Sequence, residues 1–196
     1  MDMVTINQVL TLLDNNKSID TAVKDNMREL IILFNEKFAN VSLNNLARIL
    51  PNLSIIKSNK FVNRRIFKYN IKDNILEFNV DIMNDGFDMK HVMMSAILSL
   101  IACDGEKIGF NIDNKFEALQ AGYIEMLTNL LVGNDSDNTY LEDEVISVNL
   151  LCNMIDTDIL FKAFFEQDAS IITQALIDEG VEIAWMRWII VLIILV

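Results

Sequence analysis

The chain has 196 residues, 52% of them hydrophobic, with one histidine, two cysteines and a formal net charge of −12 at a sequence pI near 4.4. That length is enough for one domain with a real core, and that charge repels a phosphate backbone, which argues against nucleic-acid binding. The two cysteines, Cys103 and Cys152, form no CxxC pair and no disulfide framework, which fits a reducing compartment, and the acid-bearing start MDMVTINQVLTLL does not read as a secretory signal.

We find no repeat, low-complexity linker or domain boundary, and expect residues 1–182 to form one domain. Its parts would be helical over 1–53, a small antiparallel sheet over 54–82, and helical again over 88–182, an α+β fold that is mostly helix. TINQVLTLL predicts a first helix with Thr5 as its N-cap. In SIDTAVKDNMRELIILFNEKF the apolar residues Ala22, Val23, Met27, Leu30, Ile31 and Phe34 recur with a 3.6-residue period. SLNNLARIL starts at a capping residue, Ser42, and stops at Pro51.

The pattern then changes. FVNRRIFKYN and ILEFNVDI are rich in β-branched and aromatic residues, and IKDN between them supplies a turn, so a β-hairpin is expected. Phe61, Ile66, Tyr69, Leu76, Phe78 and Val80 would face the core, and NLSIIK offers a third strand. The short basic run NRRIFK, Asn63–Lys68, reads as a solvated strand edge.

Helix returns at Asp88. The run DMKHVMMSAILSLIAC is apolar on nearly every face, as a buried central helix is, and opens with His91. The loop DGEKIGFNIDN follows, and the helix NKFEALQAGYIEMLTNLLVG stops at Gly133. NTYLEDEVISVNLLCNMI carries acids in its first turn, where the helix dipole favours them. TDILFKAFFEQ and DASIITQALIDEG complete the helical set, each opened by Thr or Asp.

The order hairpin, His91 helix, glycine-bearing loop, LQAGYIEMLTNLL helix and YLEDEVISVNLL helix resembles a family of small bacterial zincin-like metallopeptidases of the gluzincin type. In that family a helix carries H-E-x-x-H, and a second opens with a pattern like L-N-E-G-Y-x-E-L-L. The two histidines and the first glutamate of the second pattern bind zinc. The glutamate of the first motif polarises the zinc-bound water. The resemblance covers roughly residues 63–175 and implies a single zincin-like domain with the His91 helix packed on the Lys115–Val132 helix, bringing His91 or Ser95 near Ala121.

Carried over residue by residue, the first histidine matches His91, the general base falls on Val92, the second histidine on Ser95, and the third ligand on Ala121. Gly122, Tyr123 and Glu125 match the family pattern. One ligand of three remains and the base is gone. The resemblance therefore implies a zincin-like fold whose metal site is lost, with no catalytic residue, no metal ligand set and no cofactor. Val92 and Ala121, apolar where the family has acids, would seal a dry site without stranding a buried carboxylate.

Other sites read weakly. Asp104, Glu106, Glu117 and Glu125 do not stand at i, i+4 from His91, and Asn134–Glu144 lacks EF-hand spacing. Ser95 as a nucleophile has no base but His91, one turn back, and no third group. Without any ancestry, His91 is a helix-start histidine with an ordinary hydrogen-bond partner, Met93 and Met94 fill gaps, Tyr123, Phe164 and Phe165 pack in the core, and Glu125 lies on the helix surface.

The carboxyl end, GVEIAWMRWIIVLIILV, pairs Trp185, Arg187 and Trp188 with an apolar run. A helix over 183–196 would be about 21 Å long against a hydrocarbon core of about 30 Å, too short to span it. Three readings stand for it: a helix dipping into one leaflet, a tail buried on its own domain or a partner, or a longer segment cut short. The expected function is that of an inactive metallopeptidase homologue acting as a binding protein. Its partner would be a protein or peptide, in the cytoplasm, with peripheral membrane contact through 183–196. The alternatives are a hydrolase with an unrecognised site and a mostly helical structural or membrane-associated protein unrelated to peptidases.

Overall fold

The computed structural model describes residues 3–59, 61, 65–80, 88–110, 116–133 and 141–180. By compactness the chain forms two units, the first from Met1–Ile101 with Thr128–Asn138 and the second from Ala102–Leu127 with Thr139–Val196. The fold class is the expected one, α+β and mostly helical.

In unit 1, α1 (Ile6–Asn15) starts as expected at Thr5, whose hydroxyl accepts from the Gln8 N–H at 3.3 Å while the Gln8 side chain accepts from the Thr5 N–H at 2.8 Å. Beyond its last turn, buried Asn16 donates from Nδ2 to the Leu50 and Leu53 carbonyls at 2.6 and 2.9 Å, and accepts from the Ser18 N–H at 2.7 Å. One side chain thus satisfies two carbonyls of a distant segment and one amide of its own turn. The long helix α2 (Thr21–Lys37) buries Met27, Leu30, Ile31 and Phe34, whereas Ala22 is exposed and Val23 half-buried. α3 (Asn44–Ile49) is capped at Leu43 rather than Ser42, although the Ser42 hydroxyl accepts from the Asn44 N–H; Pro51 sits in the 3-10 turn that follows.

The sheet has strand order β1 (Ser54–Ser58), β3 (Ile75–Asn79), β2 (Phe67–Asn70). The β2–β3 hairpin is antiparallel and turns at Ile71–Asn74, as IKDN predicts, but β1 joins β3 in parallel, so the sheet is mixed rather than antiparallel throughout. Asn74, at φ +53°, closes that turn and bonds to both neighbours of β3. Its carbonyl accepts from the Ser54 N–H, its Nδ2 donates to the Ile49 carbonyl, and its Oδ1 accepts from the Tyr69 hydroxyl. Ile66, Tyr69, Leu76 and Phe78 are buried as expected; Phe61 and Val80 are half-buried.

α4 (Met89–Ile101) is the centre of unit 1, with α2, α3 and β2 packed on it. Every residue from His91 to Ile101 is buried, where a surface helix would bury one stripe. Asp88 opens it, accepting from the Lys90 N–H at 2.8 Å, and Asn45 reaches its far end by donating to the Ile101 carbonyl.

In unit 2 the chain turns at Gly105 and Gly109, both at positive φ, and Cys103 bridges Ile108. α5 (Glu117–Val132) contributes its residues up to Leu127 to this unit and the rest, from Thr128, to unit 1; it ends at Gly133, φ +90°, as expected. α6 (Glu142–Cys152), α7 (Thr157–Phe165) and α8 (Ser170–Asp178) follow, with α8 packed on α7. Their core is aromatic. The rings of Phe110, Tyr123 and Phe164 form a triangle with centroids 5.1–5.3 Å apart, and Phe165 extends it 5.0 Å from Phe164. Segment 183–196 lies outside the described residues, and among those described no helix is long and apolar enough to cross a membrane.

Candidate functional site

The candidate positions divide between the units. His91, Val92 and Ser95 stand on α4 in unit 1, and Ala121, Gly122, Tyr123 and Glu125 stand on α5 in unit 2. Ser95 meets α5 within its own unit, at Thr128: the two hydroxyl oxygens are 2.9 Å apart, and both residues are buried. The Ser95 hydroxyl also reaches back to the His91 carbonyl at 3.2 Å, and Ser99 repeats the pattern, donating to the Ser95 carbonyl at 3.1 Å. Back-bonding of this kind satisfies a serine hydroxyl inside a helix without a ligand or water. If Ser95 gives its proton to the His91 carbonyl, Thr128 donates to the Ser95 oxygen, and every hydrogen bond in that chain is made.

These residues do not fit a zinc ion. Val92, fully buried, offers no donor atom. Ser95 stands one turn from His91 on the same face, but its hydroxyl is engaged by Thr128 and by the backbone. Thiolate, imidazole and carboxylate bind zinc; a neutral, engaged hydroxyl does so poorly. Ala121 has no donor atom either. Among the described residues no three His, Cys, Asp or Glu side chains converge as a metal site requires.

On α5 each matching residue has a packing role. A Cβ on Gly122 would stand 2.3 Å from the Glu144 carbonyl oxygen, so this glycine is where the first turn of α6 lies against α5. Tyr123 is 2% exposed and packs in the aromatic triangle, as expected of a core tyrosine. Burial, then the neighbouring Cys152 and Asp158, push its phenol well above the usual tyrosine value. A phenol held neutral in this way is not poised to act as a base. Glu125 corrects the expectation of a surface residue: it is 4% exposed. A carboxylate buried so deeply requires partners, and Glu125 has at least one.

Thr128 escaped the reading of the sequence. It follows Ala121 by seven positions and Glu125 by three, so all three share one stripe of α5, but Glu117, Gln120 and Asn129 are polar too, and spacing alone does not single Thr128 out. The segment Asn134–Tyr140 and the loop residues Asn111–Lys115 lie outside the described residues. Comparison of the chain with protein-family models, curated proteins and solved structures returns no match.

Proposed function

We propose that this chain is a catalytically inert, zincin-like relative of the gluzincin-type metallopeptidases that works by binding a protein or peptide partner. In this reading it works in the cytoplasm, and segment 183–196 supplies any contact with the inner face of the membrane. The observation that carries the proposal is Ser95. At the position of the second zinc-binding histidine it gives a buried hydroxyl engaged by Thr128 and by the His91 carbonyl, in place of a ligand. Val92 supports the same reading, because a fully buried valine stands where a general base would have to be. Water activation at neutral pH by the zinc route needs a Lewis acid and a base together, and this set of side chains supplies neither.

Elemental analysis of the full chain, purified without chelator, tests the proposal. The expected result is no stoichiometric zinc, with no peptidase activity restored by added zinc. The triple change Val92→Glu, Ser95→His, Ala121→Glu should gain zinc affinity, at a cost in stability from three polar groups in buried or half-buried places. One tightly held zinc per wild-type chain would overturn the reading.

A further inference from the structure

The outward face of α6 does not match the rest of its surface. Glu142, Asp143, Ile146, Asn149, Leu150 and Asn153 are all exposed and recur at the helical period, while Val148 and Leu151 are buried on the opposite side. Ile146 is 50% exposed and Leu150 61%. Single exposed apolar side chains are ordinary. Two at i and i+4 are neighbours and make one continuous patch. The inward face of α6 already has its own apolar residues, so the pair is not needed to bury this helix.

The acids of the first turn, Glu142, Asp143 and Glu144, are accounted for by the helix dipole and by themselves imply no ligand. What gives the patch a sign is the charge of the whole unit. Unit 2 carries 15 Asp and Glu against 4 Lys and Arg, a formal −11, whereas unit 1 carries 13 against 12, a formal −1. Arg28 pairs with Asp14 in unit 1, and among the described residues no ion pair is seen at Glu142, Asp143 or Glu144. The apolar patch therefore lies in a negative field that attracts cations and repels anions.

We propose that the outward face of α6 is the docking surface for a cationic amphipathic helix of a partner protein. The partner's apolar side chains seat on Ile146 and Leu150, and its Lys or Arg residues face Glu142 and Asp143. The charge selects among the occupants such a patch can take. A second copy of this chain would bring one −11 unit against another, and an anionic membrane surface would be repelled. Helix-on-helix recognition through i, i+4 anchors suits a straight stripe of this length. The inference supplies partner chemistry for the binding reading above and rests on it only for the statement that binding is the function; zinc content does not bear on it.

The probe is a fluorescent synthetic amphipathic helix with leucine on one face and lysine on the other, and its control has glutamate in place of each lysine. Anisotropy with the full chain should show binding of the lysine peptide and not of the glutamate peptide, weakening as salt is raised. I146S/L150S changes exposed positions only; it should keep the circular dichroism of the wild type and weaken binding about tenfold or more. Glu142→Gln with Asp143→Asn should weaken binding less and flatten the salt dependence. Equal affinity for the two peptides, or equal affinity of I146S/L150S and wild type, overturns the proposal. So does a wild-type dimer in sedimentation that I146S/L150S dissolves, which would make the occupant a second copy. A shift of Trp185 and Trp188 emission in I146S/L150S without peptide would make it the chain's own carboxyl end. Binding of anionic vesicles lost in I146S/L150S would make it a membrane.

Discussion

Unit 1 and unit 2 solve the same problem, burying an apolar chain, with different materials. Unit 1 is nearly neutral and is organised around α4, a helix buried on every face from His91 to Ile101, with polar needs met by neutral hydroxyls and amides: Ser95, Ser99, Thr128, Asn16 and Asn74. Unit 2 carries almost the whole net charge of the protein on its acidic side chains and is held by rings packed edge-on and tilted. The total of −12 conceals this division. A helix buried all round admits no charge without a partner, so the neutral polar groups of unit 1 follow from its architecture. An aromatic core is compact and local, and it leaves the surface of unit 2 free to be acidic.

The largest expected effect is on the rings. Phe164 is fully buried and lies 5.3 Å from Phe110 and 5.1 Å from Tyr123. Phe164→Ala should destabilise by about 3–5 kcal/mol, the range for deleting a buried phenyl ring. Hydrogen exchange should show that loss in the amides of α5 before Thr128 and of α6 to α8, while α1 to α4 keep their protection. Equal loss everywhere would erase the distinction between the units. The counterpart in unit 1 is Asn16→Ala, which removes the side-chain donor to the Leu53 carbonyl, leaves the Leu50 carbonyl with the Leu53 N–H at 3.3 Å, and should cost about 1–3 kcal/mol by denaturant titration. A change below about 0.5 kcal/mol would mean that those carbonyls find water, and that Asn16 is not a fastener of unit 1.

How far these features are legible in sequence depends on whether contrast survives along an element. The hairpin was legible because IKDN is a local turn and alternation is strong on both sides of it. The parallel pairing of β1 was not, because it joins residues about twenty positions apart, Ser54–Ser58 with Ile75–Asn79, and Asn74 ties its start through bonds to Ser54 and Ile49. The Thr5 cap was legible as a short-range box, but the cap of α3 slipped by one residue from Ser42 to Leu43. On α5 and α6 apolar residues occur on all faces, so periodicity no longer tells inside from outside. Glu125 was accordingly expected at the surface and is buried, and the exposure of Ile146 and Leu150 could not be foreseen. The candidate site follows the same division. His91, Val92 and Ser95 could be placed together from i, i+1, i+4 spacing, while the partner of Ser95, Thr128, is a tertiary fact.

Gly122→Ala comes next in size, and its sign needs two effects to be weighed. Alanine favours a helix interior over glycine by about 1 kcal/mol. Against that, the added carbon would meet the Glu144 carbonyl oxygen at 2.3 Å and its carbon at 2.5 Å. Those are backbone atoms, which cannot swing aside, and forcing a methyl group into a packed contact costs about 1–3 kcal/mol. The net expectation is destabilisation by up to about 2 kcal/mol, confined to unit 2 in hydrogen exchange. A more stable variant would show that α6 lifts away from α5 without cost, and would remove the packing explanation for this glycine.

The smallest effect concerns one of the acids of unit 2. Asp168 precedes α8, and its Oδ1 accepts from the Ser170 hydroxyl at 2.6 Å and from the Ser170 N–H at 3.0 Å. Those two bonds, the hydroxyl first, hold its carboxyl below the usual carboxylate range. A depressed carboxyl stabilises the folded chain above its unfolded value, near pH 4, and that contribution disappears as the pH falls through the lower, folded value. The group is almost entirely exposed, so solvent screens the interaction and the effect on stability is slight. The titration itself is the sharper readout. Carbon-detected NMR of the Asp168 carboxyl should give a midpoint below that of an ordinary aspartate, and Ser170→Ala should move it upward by removing the stronger donor, leaving the backbone bond in place. Ser170→Thr, which keeps a hydroxyl, should hold the midpoint low. If Ser170→Ala leaves the titration unmoved, the Ser170 backbone N–H and the Lys107 charge hold the Asp168 carboxyl low without the hydroxyl, and the contrast with the hydroxyl-bonded polar groups of unit 1 is wider than these bonds imply.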